Sequence, residues 1–315
     1  MNSPNSLEHV PVMRDPAVEL LGCRSGGVYV DGTIGGGGYA EAILDASAPD
    51  GFLIGLDWDG DAIDRVRRRL DRFRERLVLE RASFADLPII LKRLNIVTVD
   101  GIVLDLGISS YQLDDPLRGF SFSLDGPLDM RMDRSRGETA ADLVNSLPEK
   151  ELADVIYRFG EERWSRRIAG AIVARRKQQP FSRTGELAEL IRGAVPKTRD
   201  SARIHPATRS FQALRLAVNR EQDALGRFLD GALEVLKPGG RLCIVSFHSL
   251  EDRMVKVKFR EWARSCRCPA DAIQCRCEGK PLGRLLVRKV LRPAPEEVES
   301  NPRARSARLR AVEKC

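Results

Sequence analysis

The sequence predicts an α/β protein whose parallel sheet is interrupted by an all-helical insertion. Three observations carry this reading. Short apolar runs alternate with helical periodicity as far as residue 106, strand patterning vanishes from about 112 to 210, and a buried apolar run resumes at 241–247. Alternating strands and helices build parallel sheets, because each parallel pair needs a crossover that carries the chain back to the same edge.

Asp15-Pro16 reads as an N-cap and a first-turn proline, opening a short helix that Gly22 closes. Val28-Tyr29-Val30-Asp31 is the first strand, and the run Gly35-Gly36-Gly37-Gly38 leads into a helix over 39–45. The turn Asp50-Gly51 precedes a second strand, 52–56, which ends in Asp57. Residues 61–74 place Ile63, Val66, Leu70 and Phe73 on one helical face. A third strand follows at 77–79, a helix at 87–94 and a fourth strand at 101–106. After a polar loop to about 137, helices are expected at 149–159, 163–178 and 185–193. Residues 211–236 read as one long helix with Phe211, Leu214, Val218, Leu225, Phe228, Ala232 and Val235 on one side. Lys237-Pro238-Gly239-Gly240 ends it, strand 241–247 follows, and 285–290 and 307–312 are candidates for closing strands. The expected organisation is a discontinuous sheet domain, 1–111 and 211–315, around an inserted helical domain, 112–210.

The 315 residues are 43% hydrophobic, enough for a substantial core. Neither an N-terminal apolar run nor a stretch of membrane-spanning length is visible, so the expectation is a soluble, cytoplasmic chain without membrane partners. The net charge of +7 conceals an asymmetry. Residues 158–220 hold 15 Lys/Arg against 5 Asp/Glu, and residues 253–315 hold 17 against 7. Two basic blocks beside an acidic remainder point to a phosphate-bearing partner, against the plainer reading of well-solvated helix faces.

Gly35-x-Gly37-x-x-Ala40 with Asp57 downstream fits a dinucleotide fingerprint. The same elements serve S-adenosylmethionine, which carries an adenosine but no phosphate, and whose sulfonium and ammonium are positive. A site for it needs carboxylates. Asp31 ends the first strand and can face the ammonium; Asp57 ends the second and can accept from both ribose hydroxyls. Phe84 and Asp86, after the third strand, are placed to flank the adenine and meet its amine. Asp105 adds a fourth acid at the carboxyl edge, where open α/β sheets bind ligands.

Longer motifs then carry a resemblance. Asp31-Gly32-Thr33-x-Gly35-x-Gly37-Gly38, Leu104-Asp105-Leu106-Gly107-x-Ser109-Ser110, Gln112-Leu113-Asp114-Asp115, Arg118-Gly119-Phe120-Ser121-Phe122 and Gly126-Pro127-Leu128-Asp129-Met130-Arg131-Met132-Asp133 are among them. Others are Gly160-Glu161-Glu162-Arg163, His205-Pro206-Ala207-Thr208-Arg209, Ser246-Phe247-His248-Ser249-Leu250-Glu251-Asp252-Arg253 and Asn301-Pro302-Arg303-Ala304-Arg305-Ser306. Running from the first strand nearly to the C-terminus, they resemble the bacterial 16S rRNA cytosine-N(4) methyltransferase family (RsmH, formerly MraW). The resemblance implies a class I, Rossmann-like S-adenosylmethionine-dependent methyltransferase sheet with an inserted substrate-recognition domain. It implies a cytidine in the decoding region of small-subunit rRNA as acceptor, and 16S rRNA or the small ribosomal subunit, not DNA, as partner. It places cofactor contacts at Gly37, Gly38 and Tyr39, then Asp57, Phe84, Asp105 and Gln112, beside the Asp31 and Gly35 read from the residues. Two positions depart from the family pattern: Tyr39 stands where His is common, and Tyr111 where Pro is common.

An exocyclic amine needs alignment with the methyl–sulfur bond and an acceptor for its proton. Asp105 fits two roles, polarising that amine or binding cofactor only. Phe120, Phe122 and Tyr111 fit either base stacking or packing, and His248 fits either base contact or holding its own turn. Arg163, Arg166, Arg167, Arg175 and Arg176 are candidates to track phosphates. Cys266-x-Cys268 and Cys275-x-Cys277 form two close pairs that suit either a structural zinc or a loop of free thiols. Cys243 reads as strand core. The competing functions are a nonenzymatic RNA-binding assembly factor, a DNA amino-methyltransferase, disfavoured because Asp105-Leu106-Gly107-Ile108 lacks a Pro-Pro-Tyr turn, and a nicotinamide dehydrogenase, disfavoured by Asp31.

Overall fold

Apolar residues in the strands alternate between two separate cores, as a sheet covered on both faces requires. Val30, Ile54, Leu56, Ile102, Leu104, Leu242 and Ile244 face one core, whereas Tyr29, Leu53, Val103, Cys243 and Val245 face the other. Cys243 is strand core, as its pattern predicts. The structure, a computed structural model, describes residues 11–196, 205–266, 268, 274 and 279–315.

The chain forms two units, residues 1–107 with 223–315, and residues 108–222. The first is the sheet unit. Its strands are β1 (Val28–Asp31), β2 (Phe52–Asp57), β3 (Leu77–Arg81), β4 (Val99–Asp105), β5 (Leu236–Ser246), β6 (Gly283–Leu285) and β7 (Arg308–Lys314), in the order β3-β2-β1-β4-β5-β7-β6. The first five run parallel, and β7 enters antiparallel between β5 and β6. Helices α1 (Arg14–Leu21), α2 (Gly38–Ala46) and α3 (Gly60–Arg69) pack on one face. On the other lie α4 (Leu87–Arg93) and two helices that follow the insertion.

The second unit holds α5 (Ser110–Asp114), α6 (Ala140–Ser146), α7 (Glu149–Gly160), α8 (Ser165–Arg176), α9 (Thr184–Ala194) and α10 (Thr208–Asn219). They share a core of Phe120, Met130, Val144, Leu152, Ile156, Ile168, Ile172, Leu187, Ile191, Phe211 and Leu214. Helices α11 (Glu221–Gly231), α12 (Ser249–Trp262) and α13 (Pro295–Ser300) complete the chain. No helix among the described residues is long and apolar enough to cross a membrane.

Several expectations change. The helix expected over 211–236 is two: Arg220 adopts φ 49°, ending α10, and Arg215 clasps Glu221 at 2.9 and 3.0 Å across the break. Because α10 packs in the helical core, the contacts divide the chain at 108 and 222, where patterning had drawn 112 and 210. Lys237-Pro238-Gly239-Gly240 does not stop a helix; it is an irregularity inside β5, whose register to β4 shifts between Val99↔Leu236 and Gly101↔Arg241. Asp15 is not an N-cap, since α1 starts at Arg14 behind a left-handed Met13. The expected strand 285–290 reduces to β6 and one bridge, Leu291↔Leu309.

Candidate active site

In an open α/β sheet the ligand crevice lies where the strand order reverses, outside the carboxyl ends. Here the reversal falls between β1 and β4, which end in Asp31 and Asp105. The segment after β1 is stitched to both neighbours. Gly32 N–H donates to the Val103 carbonyl (3.0 Å) and Ile34 N–H to the Leu56 carbonyl (2.8 Å). Gly35 N–H donates to Asp57 Oδ2 (2.9 Å). Thr33 joins the two central acids, donating its amide to Asp31 Oδ1 (3.1 Å) and accepting from the Asp105 amide at Oγ1 (2.6 Å).

The glycine run has internal reasons as well as a ligand-facing one. Gly37 sits at φ 82° as the residue before α2, a region that favours glycine. At Gly38 the close neighbour is the chain's own Pro11, whose Cγ lies 2.4 Å from where a Cβ would be. Tyr39 turns its ring into the core, its hydroxyl donating to the Val12 carbonyl. A cofactor contact at Tyr39 is thereby limited to its backbone.

Electrostatics mark the edge most clearly. Asp31 is 1% exposed, and its Oδ2 has no partner among the described residues. Burial pushes its carboxyl up to about 7; the Thr33 and Ala40 amides oppose this and the Asp57 charge adds to it. Asp105 keeps some exposure, but its Oδ1 is enclosed and also has no partner among the described residues. Burial first, then Asp31 and Glu251, hold Asp105 well above the ordinary carboxylate range. Two enclosed carboxyls with no cation beside them among the described residues are costly to bury and match a ligand that brings positive charge.

Asp57 accepts from Gly35 and, at Oδ1, from the Asp59 amide (2.9 Å), so it shapes the loop it was expected to serve. Phe84 follows β3, nearly parallel to Trp58 at 6.4 Å between centroids and edge-on to Phe228 at 5.6 Å. Trp58 was not among the expected residues, although it directly follows the strand-end acid. Its indole Nε1 is buried without a partner among the described residues, a donor beside Asp57 and Phe84. Asp86 lies 4.0 Å from Arg227. The orphaned oxygens of Asp31 and Asp105, with this indole N–H, fit a cationic adenosine-bearing donor.

His248 is committed to its own turn. It N-caps α12, with Nδ1 accepting from the Glu251 amide (3.5 Å) and Nε2 lying 2.8 Å from Glu251 Oε1.

Within the helical unit, Gln112 is buried in a capping box with Ser109, its Oε1 accepting from the Ser109 amide (3.1 Å). Phe120 is core, and Phe122 packs on His205 and Phe211 at 4.6 and 4.9 Å, so these rings pack within the unit; Tyr111 is 42% exposed. Asp129 is buried and clasped by Arg131 at 2.7 and 2.9 Å. Although burial opposes it, this pairing holds the Asp129 carboxyl below its usual range. Arg176 donates to the Val144 and Leu147 carbonyls (both 2.7 Å), ending α6, while Arg175 bonds the Gln179 carbonyl and covers Phe181. Both are structural. Arg163, Arg166 and Arg167 are exposed, with no carboxylate partner among the described residues. Cys275 and Cys277 lie outside the described residues, and the zinc expectation with them.

The sequence matches the family model described as the MraW methylase family over residues 6–315. It is 66% identical over 309 residues to the ribosomal RNA small subunit methyltransferase H of Syntrophobacter fumaroxidans, covering 98% of this chain and 97% of the relative. It is 53% identical over 305 residues to the protein of the same name from Syntrophotalea carbinolica, covering 97% of each.

Proposed function

Since the chain belongs to the MraW methylase family, we propose that it methylates the exocyclic N4 amine of a cytidine in the decoding region of 16S rRNA, in the cytoplasm. The sheet unit is a class I methyltransferase sheet, and the methyl donor is S-adenosylmethionine. The observation that carries the chemistry is the pair of enclosed carboxyl oxygens on Asp31 and Asp105 at the β1–β4 switch point, which have no partner among the described residues.

When bound, the donor supplies an electrophilic methyl group whose bond to sulfur breaks with the electron pair leaving on sulfur. Asp31 receives the ammonium, and Asp57 accepts from the ribose hydroxyls. Trp58 and Phe84 border the adenine side. A positive charge beside Asp31 reverses the balance that favours its protonated form, so ionised Asp31 and the cation stabilise one another. Asp105 orients the acceptor amine and takes its proton.

The acceptor base must leave its stack to reach such an edge, at an unpairing cost of a few kcal/mol. Arg163, Arg166 and Arg167 contact RNA phosphates, giving affinity that falls with salt. The test is transfer of labelled methyl to small subunits, free 16S RNA and DNA in parallel, with digestion to nucleosides. Label as N4-methylcytidine in RNA is expected. Label confined to DNA, or on another nucleoside, overturns the proposal.

A further inference from the structure

The motif Asn301-Pro302-Arg303-Ala304-Arg305-Ser306 and the basic run before it have no part in the donor site. Residues 284–292 and 301–310 together hold eight Lys/Arg and no Asp/Glu, so their neutralising charge must come from other elements or from a ligand. Three of the eight are matched within the sheet unit. Arg284 lies 2.7 Å from Glu313, and Arg310 and Arg308 lie 2.7 and 3.5 Å from Asp252. Arg288, Lys289, Arg292 and Arg305 are exposed, and their side chains have no ion pair among the described residues. The acids of α13 do not answer them; Glu297 accepts from the Met13 amide (2.6 Å).

Backbone pairing places these cations. Strand β7 is antiparallel to β5, with Val245↔Leu309, and β5 pairs with β4 through Asp105↔Val245. Leu291 and Leu309 each donate an amide to the other's carbonyl (3.1 and 3.0 Å). Asp105, Val245, Leu309 and Leu291 therefore stand at one level across four adjacent backbones, about 14 Å from first to last. Arg292 follows Leu291 towards the carboxyl edge, where β7 begins opposite Ser246. Arg305 reaches the same edge in the turn Pro302–Ser306 that leads into β7. That turn is anchored: Asn301 Oδ1 accepts from the Arg303 amide (3.2 Å), and Ala304 and Ala307 are buried in the α1-side core. Its alanines seat the backbone while Arg305 stays in solvent. Leu286 N–H donates to the Ala311 carbonyl (3.0 Å), so 287–290 loop outwards and carry Arg288 and Lys289 at their tip.

We infer that Arg292 and Arg305, with Arg288 and Lys289 beside them, form a phosphate-binding ledge for the RNA strand next to the methylated base. This rests on the reading of the Asp105 edge as the place where an RNA base is methylated. A base splayed into that edge leaves its flanking phosphates outside, at the surface the edge presents. Exposed cations without a protein carboxylate bind phosphate with release of counterions, which supplies affinity without reading sequence.

The experiment measures binding to protein-free 16S RNA and to small subunits between about 50 and about 200 mM salt. It compares wild type, Arg292→Ala/Arg305→Ala, Arg288→Gln/Lys289→Gln and Arg284→Ala. Each double variant should reduce the slope of log affinity against log salt by about 1.4, and affinity should fall about tenfold at about 0.1 M salt, on both ligands. Arg284→Ala removes a cation that Glu313 already matches, at the other end of β7, and should leave the slope unchanged. Hydroxyl-radical footprints should show the nucleotides flanking the methylated cytidine losing protection in Arg292→Ala/Arg305→Ala. Donor affinity, read by calorimetry, should stay within about twofold, because exposed charges beyond about 10 Å are screened. Unchanged slopes in both double variants, or an equal loss in Arg284→Ala, overturn the inference. A loss on small subunits with none on protein-free RNA assigns these cations to an acidic protein surface and overturns it as well. Should Arg292→Ala/Arg305→Ala fail to fold by circular dichroism, Arg288→Gln/Lys289→Gln at the loop tip carries the test. Absence of salt-dependent RNA binding by wild type removes the underlying reading, which separates that failure from this one.

Discussion

Asp31 in the sheet unit and Asp129 in the helical unit are both buried, yet the Arg131 guanidinium clasps Asp129 through two hydrogen bonds, whereas Asp31 leaves one oxygen without a partner among the described residues. Burial pushes both carboxyls up, and only Asp129 has the cation that brings it back below its usual range. A paired buried acid is a structural member, serving its own fold. An unpaired one, at a strand end beside a second unpaired acid, is incomplete until a cation arrives. The arginines divide the same way. Arg175 and Arg176 are spent on carbonyls of their own unit, whereas Arg163, Arg166 and Arg167 remain at the surface.

The sharpest way to break this contrast is at Asp105. Asp105→Asn should lower the rate of methyl transfer by about 10³ while weakening donor binding no more than about tenfold. Equal losses in turnover kinetics and in calorimetric affinity would instead make Asp105 a binding residue. Next come substitutions of opposite sign. Asp31→Asn should weaken donor binding by about 10- to 100-fold, by loss of a charged hydrogen bond. It should also raise the melting temperature of the ligand-free protein, because an uncompensated buried carboxyl is gone. Asp129→Asn should leave donor binding alone and destabilise the protein by about 2 kcal/mol, since it strands Arg131. The same sign in both melting curves would erase the distinction.

The pH dependence is a gentler probe. Asp31 has an ordinary value of 3.8 and a folded value of about 7, so between these the folded protein holds a proton that the unfolded chain has released. Stability of the ligand-free protein should therefore fall as pH rises from about 4 to about 7. Donor affinity should rise with pH, by up to about tenfold per unit below about 7, with proton release visible in calorimetry in two buffers. The smallest effect is at the surface. Replacing Arg166 and Arg167 together by Ala should reduce the slope of log affinity for RNA against log salt by about 1.4. Arg176→Ala should leave that slope unchanged and lower thermal stability instead.

Much of the edge was legible in the sequence because it is local. Asp31, Asp57 and Asp105 each end an apolar run, and strand patterning alone puts such residues at the carboxyl edge of a parallel sheet. Trp58 follows Asp57 directly, but nothing in its neighbours shows that its indole N–H would be enclosed. Tyr39 reads as a cofactor contact by resemblance until Val12, 27 residues earlier, is seen to take its hydroxyl. The break at Arg220 escaped because the apolar stripe of 211–236 continues in phase across it.

By itself the sequence determined the alternation of strands and helices and the row of strand-end acids. These follow from periodicity and turn chemistry over short spans. Only the tertiary structure decided which acids have cations, which arginines are committed to carbonyls, and which glycines answer to the chain itself, as Gly38 does to Pro11. The physical reason is that pairing and burial are set by residues distant in sequence, whose approach no local pattern records.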